Sequence, residues 1–258
     1  MPDSDQSVTL TVDDGVARLI LKRAPVNAFD EDFIQGLDTN LDRVEANSGL
    51  SVLHIRSGLK AFSAGADLEL MGRLLATPDG RDKMIDVVRN MQRVFKRIED
   101  LRVVTVAELG GAAMGGGLEL ALACDLRIAS EQAKLGLPEA GLGLLPGAGG
   151  TQRLPRICGD AAARRLIIGA EVIDGSEALR LGLVQWAVPT AELESRAAEL
   201  VKRLGSLPAE AVAACKACIA AAADASIDGY ELELTETRRL HDVEETERRI
   251  AAFLGKKG

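Results

Sequence analysis

The chain has 258 residues, with 39 acidic against 31 basic side chains and a formal charge of −8. That length is enough for one large domain, or a domain with an appendage, around a substantial core. The negative balance excludes a general attraction to nucleic acid or anionic membranes, and no run approaches the roughly 20 consecutive apolar residues of a membrane span.

The opening "MPDSDQSVTL" is acidic and lacks both the parts of a signal peptide and the arginines of a transit peptide. Cys124, Cys158, Cys215 and Cys218 show no disulfide-framework spacing, so a reducing, cytoplasmic setting is expected. In chain order, residues 8–12 and 16–22 predict a hairpin about Asp13-Asp14-Gly15. Residues 30–47 predict a helix capped by Asp30. Residues 50–57 and 102–109 are short apolar runs of buried-strand type. Between them Met84, Val87, Val88, Met91, Val94, Phe95, Ile98 and Leu101 recur at helical steps and predict a long amphipathic helix. Residues 124–130 and 183–188 predict two more strands. After Pro189 the segments 190–205, 208–224 and 228–254 are helical in pattern and rich in alanine. The expected organisation is thus an α/β core over residues 1–190 and a helical region over 191–258. The apolar faces of that second region suggest packing between subunits.

Cys215 and Cys218 form a C-x-x-C, but in an alanine-rich helix without a second pair or a nearby histidine they read as core cysteines. His54 lies in a strand-like run and His241 in a charged helix, which argues against a histidine triad or a zinc site. The glycine-rich stretches 110–117 and 141–150 match neither the dinucleotide fingerprint nor the P-loop spacing. Gly115, Gly116 and Gly117 instead fall between strand 102–109 and a helical run, where unpaired backbone N–H groups carry partial positive charge. Without side chains such a turn lets a ligand oxygen approach closely. Residues 61–71 repeat the arrangement, with Ala66 at the turn and Asp67 as a helix cap. Two such donors form an oxyanion hole, each worth about 3–4 kcal/mol in a transition state. Glu119 and Glu139 each sit in apolar, glycine-rich surroundings, which raises a carboxyl pKa. Placed around one pocket, they could serve as base and acid for adding water across a carbonyl-activated double bond. Glu108, at a strand end, reads as structural.

The segments 25–29, 61–68, 111–130, 135–156, 178–189 and 250–258 together resemble the crotonase superfamily, and most closely its enoyl-CoA hydratases, over essentially the whole chain. The resemblance implies a right-handed spiral of ββα turns with a helical trimerisation tail. It implies that the N–H groups of Ala66 and Gly116 hold the thioester carbonyl, that Glu119 and Glu139 are the two hydratase carboxylates, and that the Gly147 N–H helps hold the water. Ala64 to Leu68, Asp67 among them, would line the bend of the CoA arm, while Phe253 and Lys256 would meet the CoA nucleotide. The expected substrate is an acyl-CoA, with coenzyme A part of the substrate and no cofactor or metal, in a homotrimer or homohexamer without nucleic acid or membrane. Two features depart from the family pattern: the loop over residues 22–29 is shorter, and Gly110-Gly111 stands where Asn-Gly is usual. Residues 72–83 lie where the family varies its acyl pocket. A Δ3,Δ2-enoyl-CoA isomerase, which needs one carboxylate, is the alternative. An RNA-binding member of the same fold would need a basic stripe that "RNMQRVFKR" does not supply.

Overall fold

The computed structural model describes residues 7–255. β1 (Val8–Asp13) and β2 (Val16–Leu21) pair antiparallel, and Asp14 and Gly15 take φ of +46° and +72° in the turn between them, the conformation a two-residue hairpin needs. α1 (Glu31–Glu45) is capped by Asp30, whose Oδ1 accepts from the Phe33 N–H at 2.8 Å. β3 (Val52–Ser57) then joins β2 in parallel.

α2 (Leu68–Leu75) and α3 (Pro78–Asp100) connect β3 to β4 (Val104–Leu109). α3 begins earlier than its apolar pattern predicts. Thr77 Oγ1 accepts from the Gly80 N–H at 3.1 Å and Pro78 occupies the first turn, a position that does not need a donor. That turn is polar, so hydrophobic periodicity says nothing about it. β5 (Ala113–Met114), α4 (Gly116–Leu122), β6 (Leu126–Ser130) and β7 (Leu135–Gly136) follow, and then a 3-10 turn over Pro138–Leu142. α5 (Gly150–Ile167), β8 (Val172–Ile173), α6 (Gly175–Arg180) and β9 (Trp186–Val188) close this part of the chain.

The strands form a six-stranded sheet, β1-β2-β3-β4-β6-β9, parallel from β2 onward, and a three-stranded sheet, β5-β7-β8. Successive passes add one strand to the large sheet, and the later ones also leave a strand in the small sheet, so the chain winds as a spiral. The main core lies between the large sheet and α1, α3, α4 and α5, with Phe29, Phe33, Phe62 and Phe95 fully buried.

After a 3-10 turn at Thr190–Glu192, α7 (Leu193–Gly205) lies across the opposite face of the large sheet. There Leu193, Ala197, Leu200 and Leu204 pack on Val52, Val104, Val106 and Ile128. The first helix of the helical region thus covers sheet within the chain itself. α8 (Ala209–Ala221) is tied to the sheet by Lys216, whose Nζ donates to the Val103 carbonyl at 2.8 Å and to Asp125 at 2.7 Å. The single helix expected over 228–254 is two, α9 (Gly229–His241) and α10 (Glu244–Gly255). Asp242 closes the first by donating its N–H to the Arg239 carbonyl, and the Val243 carbonyl accepts from Thr246 and Glu247 to open the second. No glycine or proline marks this break.

Candidate active site

Two turns meet beside the small sheet, laced together by backbone hydrogen bonds. Ser63 donates to the Ala112 carbonyl at 3.0 Å and accepts from Met114 at 2.9 Å, while Gly115 donates to the Gly136 carbonyl at 2.9 Å. The Phe29 N–H bonds to the Gly65 carbonyl and the Asp67 N–H to the Phe29 carbonyl, which leaves the intervening Ala66 N–H outside that ladder. Among the described residues neither the Ala66 nor the Gly116 N–H has an acceptor. The turns touch closely: a Cβ on Gly65, whose φ is +89°, would lie 3.2 Å from the Gly116 nitrogen. Asp67 caps α2 through Oδ1, accepting from Glu69 and Leu70 at 3.1 and 3.0 Å. Ala64 and Leu68 on either side are exposed.

The glycine triplet divides its work differently from the sequence expectation. A Cβ on Gly116 would point into the core, 2.8 Å from Met91 Cε and 3.5 Å from Phe29. It would not stand in a ligand's path, so the reason given for glycine at 116 is corrected. Gly115 is the residue whose open side faces a carboxylate, that of Glu139. Its φ is +52°, and a Cβ there would lie 2.9 Å from Glu139 Oε1. At Gly117 a Cβ would meet the Ser63 carbonyl oxygen at 2.6 Å, so the third glycine lets α4 pack against the other turn.

Glu119, one turn into α4, is buried and its Oε1 accepts from the Gly150 N–H at 2.7 Å. Burial pushes its pKa up to about 7; the Glu139 charge adds to the rise, while the N–H groups of Gly150 and Ala148 and the Arg153 guanidinium oppose it. Glu139, in the 3-10 turn, is also shifted upward by burial. Its Oε2 is buried without a hydrogen-bond partner among the described residues. Two carboxyls pushed toward the neutral form, with the Glu139 charge felt at Glu119, can divide acid and base roles.

The remaining residues singled out by sequence fall as follows. Gly147 lies in the turn leading to α5, and its carbonyl accepts from Gln92 Nε2 at 2.6 Å. Phe253 is on α10, 62 % exposed, in a helix that packs chiefly against α9 and not in the Glu119 cluster. Lys256 lies outside the described residues. Glu108 is on the α7 side of the sheet, 2.9 Å from His54 Nε2 and 3.7 Å from Arg56, away from the pocket. Cys215 is exposed and Cys218 half-buried, so the core reading of this pair is corrected: alanines take the inner positions of α8.

Sequence reasoning missed Gly150, the donor to Glu119. A Cβ there would lie 2.9 Å from Leu137 and from Pro146 and 3.0 Å from Glu119 Oε1. The only signal was the density of glycine at 147–150 ahead of an unrecognised helix, α5.

The enoyl-CoA hydratase/isomerase family model matches residues 11–258. A Bacillus subtilis protein named "Probable enoyl-CoA hydratase" is 37 % identical over 253 residues, covering 97 % of this chain and 96 % of that one. The short-chain-enoyl-CoA hydratase of Clostridium acetobutylicum is 39 % identical over 204 residues, covering 79 % of this chain and 76 % of its own. Among solved structures, that of an enoyl-CoA hydratase from Geobacillus kaustophilus superposes with a TM-score of 0.91 at 33 % identity, covering 98 % of this chain and 95 % of that one. The spiral of strands and helices and the length of these matches lead to one assignment: the chain is an enzyme of the enoyl-CoA hydratase/isomerase family, built on the crotonase fold.

Proposed function

We propose that the chain hydrates a 2-enoyl-CoA thioester to the 3-hydroxyacyl-CoA. The observation that carries this reading is the pair of upward-shifted carboxyls, buried Glu119 and half-buried Glu139, set against a turn with unengaged backbone donors. The N–H groups of Ala66 and Gly116 receive the thioester oxygen. Charge drawn onto that oxygen leaves Cβ electron-poor, and the enolate that forms is stabilised by donors already in place. Glu119, in its ionised form and accepting from the Gly150 N–H, takes a proton from water as the new C–O bond forms at Cβ, and Glu139 delivers its proton to Cα. Gly147 supplies a backbone N–H for the water. The net change is the elements of water across one double bond, so no cofactor is required beyond the coenzyme A that the substrate carries.

Leu68 follows the Ala66 turn and Leu142 and Leu145 end and follow the 3-10 turn that carries Glu139, and all three are exposed, which suits an apolar acyl group. The exposed apolar residues of α8 to α10, including Ile219, Leu234 and Ile250, support a homotrimer or homohexamer in which a second copy covers them.

The test is to follow loss of crotonyl-CoA in water, beside conversion of a 3-enoyl-CoA to its 2-enoyl isomer. Glu119→Gln and Glu139→Gln should each reduce hydration by about 10²–10⁴-fold, and the double variant should be little worse than the poorer single one. Near-parental hydration by Glu119→Gln, with isomerisation dependent on Glu139, would replace this reading by the one-carboxylate isomerase.

A further inference from the structure

The turn that presents N–H groups to Glu119 is gripped from behind, at consecutive peptide planes. Gln92 Nε2, from α3, donates to the Gly147 carbonyl at 2.6 Å. Arg153 Nη1, from α5, donates to the Ala148 carbonyl at 3.1 Å. The Gly149 carbonyl accepts from the Gln152 and Arg153 N–H groups at 3.1 and 2.9 Å, in the first turn of α5. A trans peptide is planar, with its C=O and N–H on opposite sides. Holding the Gly147 carbonyl therefore sets the direction of the Ala148 N–H, and holding the Gly149 carbonyl sets that of the Gly150 N–H. The Gly150 N–H is hydrogen-bonded to Glu119 Oε1 at 2.7 Å, and the Ala148 N–H is the other backbone group that favours its ionised form.

Arg153 is itself fixed. Its Nη2 and Nε donate to Glu99 Oε2 of α3 at 2.9 and 3.1 Å, and its side chain is only 8 % exposed. The guanidinium lies so close to the turn that a Cβ on Gly149, where φ is +112°, would fall 2.1 Å from Nη1. This explains glycine at 149 in terms of the clamp and not of the ligand.

We propose that Gln92 and Arg153 are positioning residues for Glu119: Gln92, holding the Gly147 carbonyl, sets the plane of the Ala148 N–H, and Arg153, holding the Ala148 carbonyl, fixes the plane that joins it to the one carrying the Gly150 N–H, so the turn stays aimed at the carboxylate. This rests on the reading of Glu119 as a reacting carboxylate. The charged groups that act on Glu119 are Glu139 from the 3-10 turn and Arg153 from α5, with Glu99 of α3 behind Arg153. Arg153 therefore contributes both orientation and charge, whereas Gln92 contributes orientation alone. The two contributions can be separated by substitution.

The experiment uses full-length Gln92→Ala, Arg153→Lys and Arg153→Met proteins, with folding checked by circular dichroism. Titration of the Glu119 carboxyl is followed by carbon-13 NMR, its signal assigned by loss in Glu119→Gln. Crotonyl-CoA hydration is recorded against pH in parallel. Gln92→Ala removes an exposed side chain, so its test survives even if Arg153→Met fails to fold. Loss of aimed N–H donors should raise the Glu119 pKa by about 0.5–1 unit in Gln92→Ala and further in Arg153→Met. The acid limb of the rate profile should move with it. At pH 7 kcat should fall about tenfold while KM stays within about twofold. Arg153→Lys, which keeps the charge but not the planar fork, should fall between parent and Arg153→Met. A Glu119 carboxyl that titrates as in the parent in folded Gln92→Ala and Arg153→Lys overturns the proposal, whatever the rates do. If the parent hydrates no enoyl-CoA, the functional reading fails, and a shifted carboxyl would still support the clamp.

Discussion

At Glu119 the chain keeps a carboxyl where its charge is unfavourable. The folded pKa of about 7 lies above the ordinary carboxyl value, so the unfolded chain ionises first as pH rises. Stability is therefore lost between about pH 4.5 and 7 and stays reduced above that, by about 3 kcal/mol as an order of magnitude. Glu119→Gln keeps an oxygen for the Gly150 N–H but cannot ionise. Denaturant titrations should find it more stable than the parent at pH 8, with the gain vanishing near pH 4.5. An equal difference at both pH values would contradict the buried-charge account. Gly115 provides a second test. Alanine there must adopt φ +52° and approach Glu139 Oε1, so Gly115→Ala should lose about 1–3 kcal/mol. It should also lose hydration out of proportion to that loss, because the displaced group is one of the two carboxyls. Thermal melts and rates on one preparation separate the two effects.

Among the elements, α4 carries both a backbone donor and Glu119, and its far end is held by a buried cation. Arg127 donates through Nη1 to the Ala121 and Cys124 carbonyls at 3.3 and 2.7 Å and through Nε to the Leu183 carbonyl at 2.6 Å. Positive charge at a helix C-terminus is favourable, and these carbonyls would otherwise be buried without partners. Burial lowers the Arg127 pKa, yet a guanidinium remains charged at neutral pH. Arg127→Met should destabilise the protein by about 3 kcal/mol, since each orphaned buried group costs about 1–3 kcal/mol. Equilibrium unfolding in urea would measure it, and a change below about 0.5 kcal/mol would show that water replaces the cation without penalty.

For the whole molecule, α7 and the helices after it differ in what they cover. α7 is built into the sheet, whereas Ile219, Tyr230 and Leu234 on α8 and α9 are 74, 83 and 64 % exposed. Our proposal of a trimer-based oligomer predicts that Ile219→Glu with Leu234→Glu shifts sedimentation toward the mass of one chain at micromolar concentration. An unchanged sedimentation coefficient that matches a single chain in parent and variant alike would refute the oligomer.

Much of the fold is legible along the chain because it is written in local periodicity. The hairpin of β1 and β2, the short apolar runs of β3 and β4, the capped α1 and the amphipathic α3 all declare themselves over a few residues. Glu119, Glu139 and the glycine triplet stand out too, because acids among leucines and successive glycines violate local expectation. The break between α9 and α10 leaves no such mark, since it is made by carbonyl hydrogen bonds at Asp242 and Val243. Nor does the exposure of Cys215, because in an alanine-rich helix composition does not say which face turns inward. What only the tertiary structure decided is which backbone groups meet. Gly150 lies 31 residues from Glu119 along the chain, and Gln92 lies 55 from Gly147. The residues at 147–150 could be read as glycine, but the direction of each N–H is set by carbonyl partners on α3 and α5. Backbone donors carry no residue identity, so sequence names the acids of this site while packing aims the amides that govern them.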